Sequence, residues 1–143
     1  VERVARERGI PFTPLKVTLV SGNTQARARE ARYAALAAWA QAERLGAVAT
    51  AHHADDQAET LVMRLNRGSG LAGLAGVRAA TRIAGTEVTL LRPLLGWRKA
   101  ELAQVVASAG ITAADDPSNT DPTFDRARLR AALAEAAWLD PVQ

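Results

Sequence analysis

The 143 residues contain no cysteine. That excludes a disulfide scaffold, a thiolate zinc site and a cysteine-ligated iron–sulfur cluster. Lysine is nearly absent too: Lys16 and Lys99 are its two occurrences among 18 Lys+Arg. No window approaches the roughly 18 consecutive apolar residues that a membrane-spanning helix needs. The start, "VERVARERGI", lacks the apolar core of a signal peptide. Together these absences predict a cytoplasmic protein. No long repeat occurs, and no linker-like stretch marks a boundary, so one domain is expected over residues 1–143.

What is present is apolar and arginine-rich. A hydrophobic content of 48% supports a packed core. Arginine forks carboxylates and phosphates and stacks on bases, so an arginine-dominated excess leans toward nucleic acid or nucleotide partners. A GC-rich genome would enrich arginine and alanine equally well, and a net charge of +3 does not decide between them.

Val1 to Arg8 reads as a helix end closed by Gly9, followed by a strand in "PFTPLKVTLV" (11–20). From Thr24 to Leu45 the pattern is helical, with Ala28, Ala31, Ala35, Ala38, Trp39 and Ala42 as the apolar stripe and Gly46 as the stop. "AVATA" (47–51) reads as a short buried strand, and strand–helix–strand predicts a βαβ unit with a parallel sheet. A second helix is expected from about Asp56 to Arg67, with Ala58, Leu61, Val62 and Leu65 inward. "VRAATRI" and "EVTLLRPLL" predict a hairpin around Gly85. A helix over Arg98 to Ala109 ends at Gly110, "AADDPSNTDPT" is a polar turn region, and "FDRARLRAALAEAAWL" is a last helix.

Two stretches imitate phosphate loops. "GSGLAG" (68–73) has the G-x-G-x-x-G spacing but follows a helix, whereas the dinucleotide fingerprint needs a strand before it. "LVSGNTQ" (19–25) has one glycine and reads as a helix start capped by Asn23 or Thr24.

The segment "HHADDQAET" (52–60) holds both histidines and, within five positions, three carboxylates. Asp56 and Glu59 have the spacing of a capping box, which leaves His52, His53 and Asp55 unexplained. Zinc motifs usually set two histidines at i and i+4, not side by side. A carboxylate holding hydrated magnesium against a phosphate stays open, as does a cationic ligand, because Asp56, Glu59 and Thr60 share one helical face suited to an ammonium group. In "DPSNTDPTFDRARLR" (116–130), Arg126 and Arg130 stack at i and i+4 beside Arg128, a cluster suited to phosphate.

In their order and spacing, "NTQARAREARYAAL" (23–36), "HHADDQAETLVMRLNRGSGLAGLAG" (52–76), "RPLL" (92–95) and "DDPSNTDPTFDRARLR" (115–130) resemble the tRNA(Ile)-lysidine synthetase family of the PP-loop, N-type ATP pyrophosphatase superfamily. The resemblance implies an α/β fold: a partial Rossmann-like parallel sheet of the adenine nucleotide alpha hydrolase type, with flanking helices, a C-terminal hairpin and further helices. It implies an ATP-dependent ligase, using ATP and Mg2+, that adenylates C2 of the wobble cytidine in a CAU-anticodon isoleucine tRNA. L-lysine then attacks, releasing AMP. By position, Asp56 and Glu59 match the lysine-binding acids, and Arg32 an arginine of the same pocket. His52 and His53 match histidines beside the nucleotide. Asn119, Arg126 and Arg130 match the catalytic region contacting ATP and the target nucleotide. No metal ligand set is implied.

The family's S-G-G-x-D-S loop is absent from these residues. The expectation is therefore an incomplete catalytic domain, inactive alone, whose oligomeric state the sequence leaves open. Two alternatives stand beside it. A PP-loop tRNA thiolase of the 2-thiocytidine type uses cysteines, which are missing here. A basic RNA-binding fragment would need no catalysis.

Overall fold

The computed structural model describes residues 1–17, 25–70, 74–114 and 125–135. They fall into two compact units: Val1–Thr50 with Ala80–Leu91, and Ala51–Ala79 with Arg92–Gln143. No described helix is long and apolar enough to cross a membrane.

In the first unit, α1 (Glu2–Glu7) buries no residue. It carries two exposed i,i+4 pairs, Arg3–Glu7 and Arg6–Glu2, each 2.8 Å, of the kind that contributes about 0.3–0.5 kcal/mol. The strand expected at 11–20 is not found in its described part: residues 11–17 are irregular, and 18–20 lie outside the described residues. Pro11 and Pro14 supply the reason, since neither has an N–H to give a ladder.

Helix α2 (Gln25–Ala42) carries the expected long pattern, but its buried face differs from the expected stripe. Ala37 and Ala40 are fully buried, with Tyr33 and Trp39 packed partly against the core, while Ala38 and Ala42 are exposed. Its end is also displaced. The amide of Leu45 donates to the carbonyl of Ala40 (2.7 Å) and that of Arg44 to Gln41 (3.0 Å). These two bonds form a Schellman motif with Arg44, at φ 57°, in the left-handed position. Gly46, the expected stop, is not in that conformation.

Three short strands follow: β1 (Ala47–Ala49), β2 (Ala80–Arg82) and β3 (Thr89–Leu91), in the order β1-β3-β2. β1 runs parallel to β3 with Val48 opposite Leu90, and β2 pairs antiparallel to β3 with Thr81 opposite Leu90. The hairpin therefore stands as predicted, turning at Gly85 (φ 74°), and it belongs to the main sheet. The parallel partner of β1 is β3, reached through a crossover containing a helix and a strand. Val48, Ile83, Val88 and Leu90 meet Ala37 and Ala40 in an aliphatic core.

The second unit contains helices α3 (Ala54–Asn66), α4 (Lys99–Ser108) and α5 (Asp125–Glu135). α3 and α4 end in Schellman motifs with Gly68 (φ 68°) and Gly110 (φ 67°) in the left-handed position, as α1 does with Gly9. α3 starts two residues before the expected Asp56. Of its expected inward face Ala58 is buried and Val62 half-buried, whereas Leu61 and Leu65 are exposed and Glu59 is buried instead. The segment 76–79 is held by side chains. Gln57 clasps the backbone of Val77 at both ends, with Nε2 donating to its carbonyl (2.6 Å) and Oε1 accepting from its amide (2.5 Å). Arg64 donates to the carbonyl of Gly76 (3.2 Å). Buried Arg92 donates to the carbonyl of Arg78 (2.7 Å).

Arg44→Gly should raise stability by about 0.5–1 kcal/mol in chemical denaturation, because glycine takes the left-handed position without a Cβ clash. Gly46→Ala should be neutral or stabilising by less than about 1 kcal/mol, since a Cβ there meets open space. The opposite ranking would place the cap at Gly46. Gly76→Ala forces a Cβ to 3.0 Å from Gln57 Oε1 at φ +71°. It should cost roughly 1–2 kcal/mol for the conformation alone. Gln57→Ala should then cost less in that background than in the unsubstituted chain, a coupling of about 0.5–1 kcal/mol in a double-mutant cycle. Additive losses would show that the clasp survives the added methyl.

Candidate functional site

After Ala49 the chain passes through Thr50, Ala51 and His52 to His53, the N-cap of α3. The acid-rich segment therefore becomes a helix start, as its composition favours, because carboxylates complement the positive end of the helix dipole. The cap is not the one expected, however. Asp56 stands at the third helical position, and its Oδ2 accepts the amide of His53 at 3.0 Å. Asp56 thus fills the acid's place in a capping box whose first member is His53.

The neighbouring side chains are organised around this start. The His53 ring, with its side chain 16% exposed, lies between two carboxylates: Nδ1 is 3.4 Å from Asp55 Oδ2, and Nε2 is 3.5 Å from Asp56 Oδ2. Asp55 Oδ2 also accepts the amide of Lys99 at 2.7 Å, while the amide of Ala54 donates to the carbonyl of Trp97 at 2.9 Å. The first turns of α3 and α4 are therefore stitched together in both directions. His52 is half-buried.

One turn further along α3, the side chain of Glu59 is 6% exposed. Burial of an ionised carboxylate is costly unless it is paired and hydrogen-bonded, and α5 supplies the partner. Arg130 forks it, with Nε on Oε1 and Nη2 on Oε2 at 3.2 Å. The same Nη2 lies 4.0 Å from Asp56 Oδ1. Arg126, one turn earlier on α5, donates through Nη2 to Thr60 Oγ1 (3.3 Å) and places Nε 4.0 Å from Glu59 Oε2. Thr60 gives its own hydroxyl proton to the carbonyl of Asp56 (2.7 Å). The i, i+4 spacing of the two arginines is what lets both reach one face of α3.

The electrostatics follow from this geometry. The hydrogen bond to Glu59 raises the Arg130 pKa above the ordinary arginine value; burial opposes it, and the charges of Glu59, Asp56 and Asp55 add to it. Two carboxylates (Asp56, Glu59) face two guanidiniums (Arg126, Arg130), while Asp55 turns to His53 and the amide of Lys99. Among the described residues no group of three His, Cys, Asp or Glu converges on a metal position.

Of the residues singled out in the sequence, the structure brings Asp56, Glu59, Arg126 and Arg130 into one cluster, with His53 at its edge. Arg32 is on α2, exposed, its guanidinium 5.5 Å from the Tyr33 ring centroid. Asn119 lies outside the described residues. Sequence reasoning passed over Gln57 and the tie from Asp55 to Lys99. The first had a signal, an amide residue within an acidic first turn. The second is a backbone contact with no local signature.

The cluster sits on segments that other proteins share. The PP-loop domain family matches residues 1–137. The chain is 57% identical over 136 residues to a tRNA(Ile)-lysidine synthase of Novosphingobium aromaticivorans, covering 94% of this chain and 42% of that protein. It is 44% identical over 144 residues to one of Zymomonas mobilis, covering 98% of this chain and 44% of that protein. A third, of Ruegeria pomeroyi, is 46% identical over 139 residues, covering 96% of the chain and 33% of the relative. The chain thus spans less than half the length of these curated relatives. With a match that runs through α1–α5 and all three strands, this chain belongs to the PP-loop domain family.

Proposed function

We propose that the chain forms part of the catalytic domain of an ATP-dependent tRNA-modifying ligase that converts the wobble cytidine of a CAU-anticodon tRNA(Ile) to lysidine. ATP would adenylate C2 of the cytidine with release of diphosphate. The amine of L-lysine would then attack C2, expel AMP and leave lysidine. ATP with Mg2+, the tRNA and L-lysine are the proposed substrates, and the names of the relatives support this reading.

The observation that carries the lysine part is the placing of Asp56 and Glu59 on one face of α3, within reach of a single cationic group. An ammonium needs acceptors and a countercharge. Asp56 and Glu59 offer both on one helical face, with the hydroxyl of Thr60 beside them. A metal is a poorer fit to this set, because histidine and carboxylates here point at one another and at backbone amides. Arg126 and Arg130 are proposed to serve the nucleotide as well, and Asn119, His52 and His53 to lie beside it. Arg32 is proposed for the lysine pocket on the resemblance alone. The S-G-G-x-D-S segment that grips diphosphate in the family is not among the 143 residues, so the 143-residue chain alone is proposed to bind lysine without making lysidine.

Asp56→Asn tests the assignment. Asparagine keeps an oxygen for the amide of His53, so the melting temperature should move little. The lost charge-assisted contact to an ammonium is worth about 1.5–3 kcal/mol, roughly ten- to hundred-fold in affinity. Calorimetric titration of L-lysine into the chain should show at least a tenfold weaker Kd. A variant that melts several degrees lower while binding lysine as before would assign Asp56 to the helix start only.

A further inference from the structure

The space between the two proposed lysine-binding acids holds a cation of the chain's own. Arg130 forks both oxygens of Glu59, and the same Nη2 that bonds Glu59 faces Asp56 Oδ1 at 4.0 Å. A guanidinium that spans both carboxylates stands where an ammonium bound to both would have to stand. Glu59 is too buried to wait unpaired, which gives a reason for the arrangement: the fold supplies an internal cation until a substrate cation arrives.

Resting on the reading of Asp56 and Glu59 as the amine site, we propose that Arg130 is an internal competitor of the substrate amine and so sets the amine affinity of the site. Incoming ammonium replaces guanidinium charge for charge, so the buried carboxylate is never left bare. Keeping both cations would set like charges side by side between the two acids, so Arg130 leaves Glu59 when the amine binds. Arg126 stays, because its hydrogen bond goes to Thr60 and its nitrogen is only 4.0 Å from Glu59.

This gives a sign that distinguishes competition from support. L-lysine is titrated calorimetrically into the 143-residue chain and its Arg130→Gln variant. Competition predicts about tenfold tighter lysine binding in Arg130→Gln, and millimolar methylguanidinium should restore the weaker affinity by refilling the vacated position. Unchanged or weaker binding in the variant overturns the proposal while leaving the amine site standing. Absence of lysine binding in both proteins overturns the amine site itself. Glu59→Gln added to Arg130→Gln should undo the gain.

A readout on the unsubstituted chain covers a variant that does not fold. The Nε–H resonance of Arg130, deshielded by its hydrogen bond to Glu59, should shift toward the position of a solvent-exposed arginine as lysine saturates the site. A resonance that stays in place at saturation sinks the proposal.

Discussion

Glu59 obtains its countercharge from a residue 71 positions further along the chain. Its carboxylate is nearly sealed from water, and a buried charge of that kind is costly unless it is paired and hydrogen-bonded. That requirement docks α5 onto α3. It also turns the acid-bearing face of α3 inward, leaves Leu61 and Leu65 outside, and fixes where Arg126 can reach. An ion pair with a buried carboxylate and a partly exposed arginine is weak evidence for net stability, since removing the carboxylate from water offsets much of the attraction. Its contribution is to register: one arginine fork admits one rotational setting of the two helices.

The elements were more legible in the sequence than their faces. Gly9, Gly68, Gly85 and Gly110 mark turns and helix ends that the structure reproduces, because a left-handed backbone position leaves a direct residue signature. Helix α2 was legible as a helix but not as an oriented one. Alanine occurs around most of its circumference, so the stripe through Ala28, Ala35 and Ala42 looked as apolar as the one through Ala37 and Ala40. Arg44 in a left-handed cap gave no warning, and Gly46 nearby offered a false one. The strand expected at 11–20 rested on β-branched and aromatic residues and underweighted Pro11 and Pro14.

At the site, the residue types pointed to Asp56, Glu59, Arg126 and Arg130, which the structure brings together, while misplacing the helix start. The spacing of Asp56 to Glu59 fits a capping box with Asp56 as the cap. The structure gives the cap to His53 and assigns Asp56 the reciprocal acid position, which no single-sequence pattern separates from the other reading. The pairing of Glu59 with Arg130 was not legible either. Both residues were singled out, one for a cation and one for an anion, and only the packing of α5 on α3 brings them to each other.

The two-way stitch between the starts of α3 and α4 has a consequence for motion. The amide of Ala54 is held by Trp97 and that of Lys99 by Asp55, so neither first turn can fray without breaking a bond that the other depends on. Helix ends ordinarily open one by one and exchange their amide hydrogens quickly. Here the two starts are tied to each other, so the opening of one first turn is coupled to that of the other.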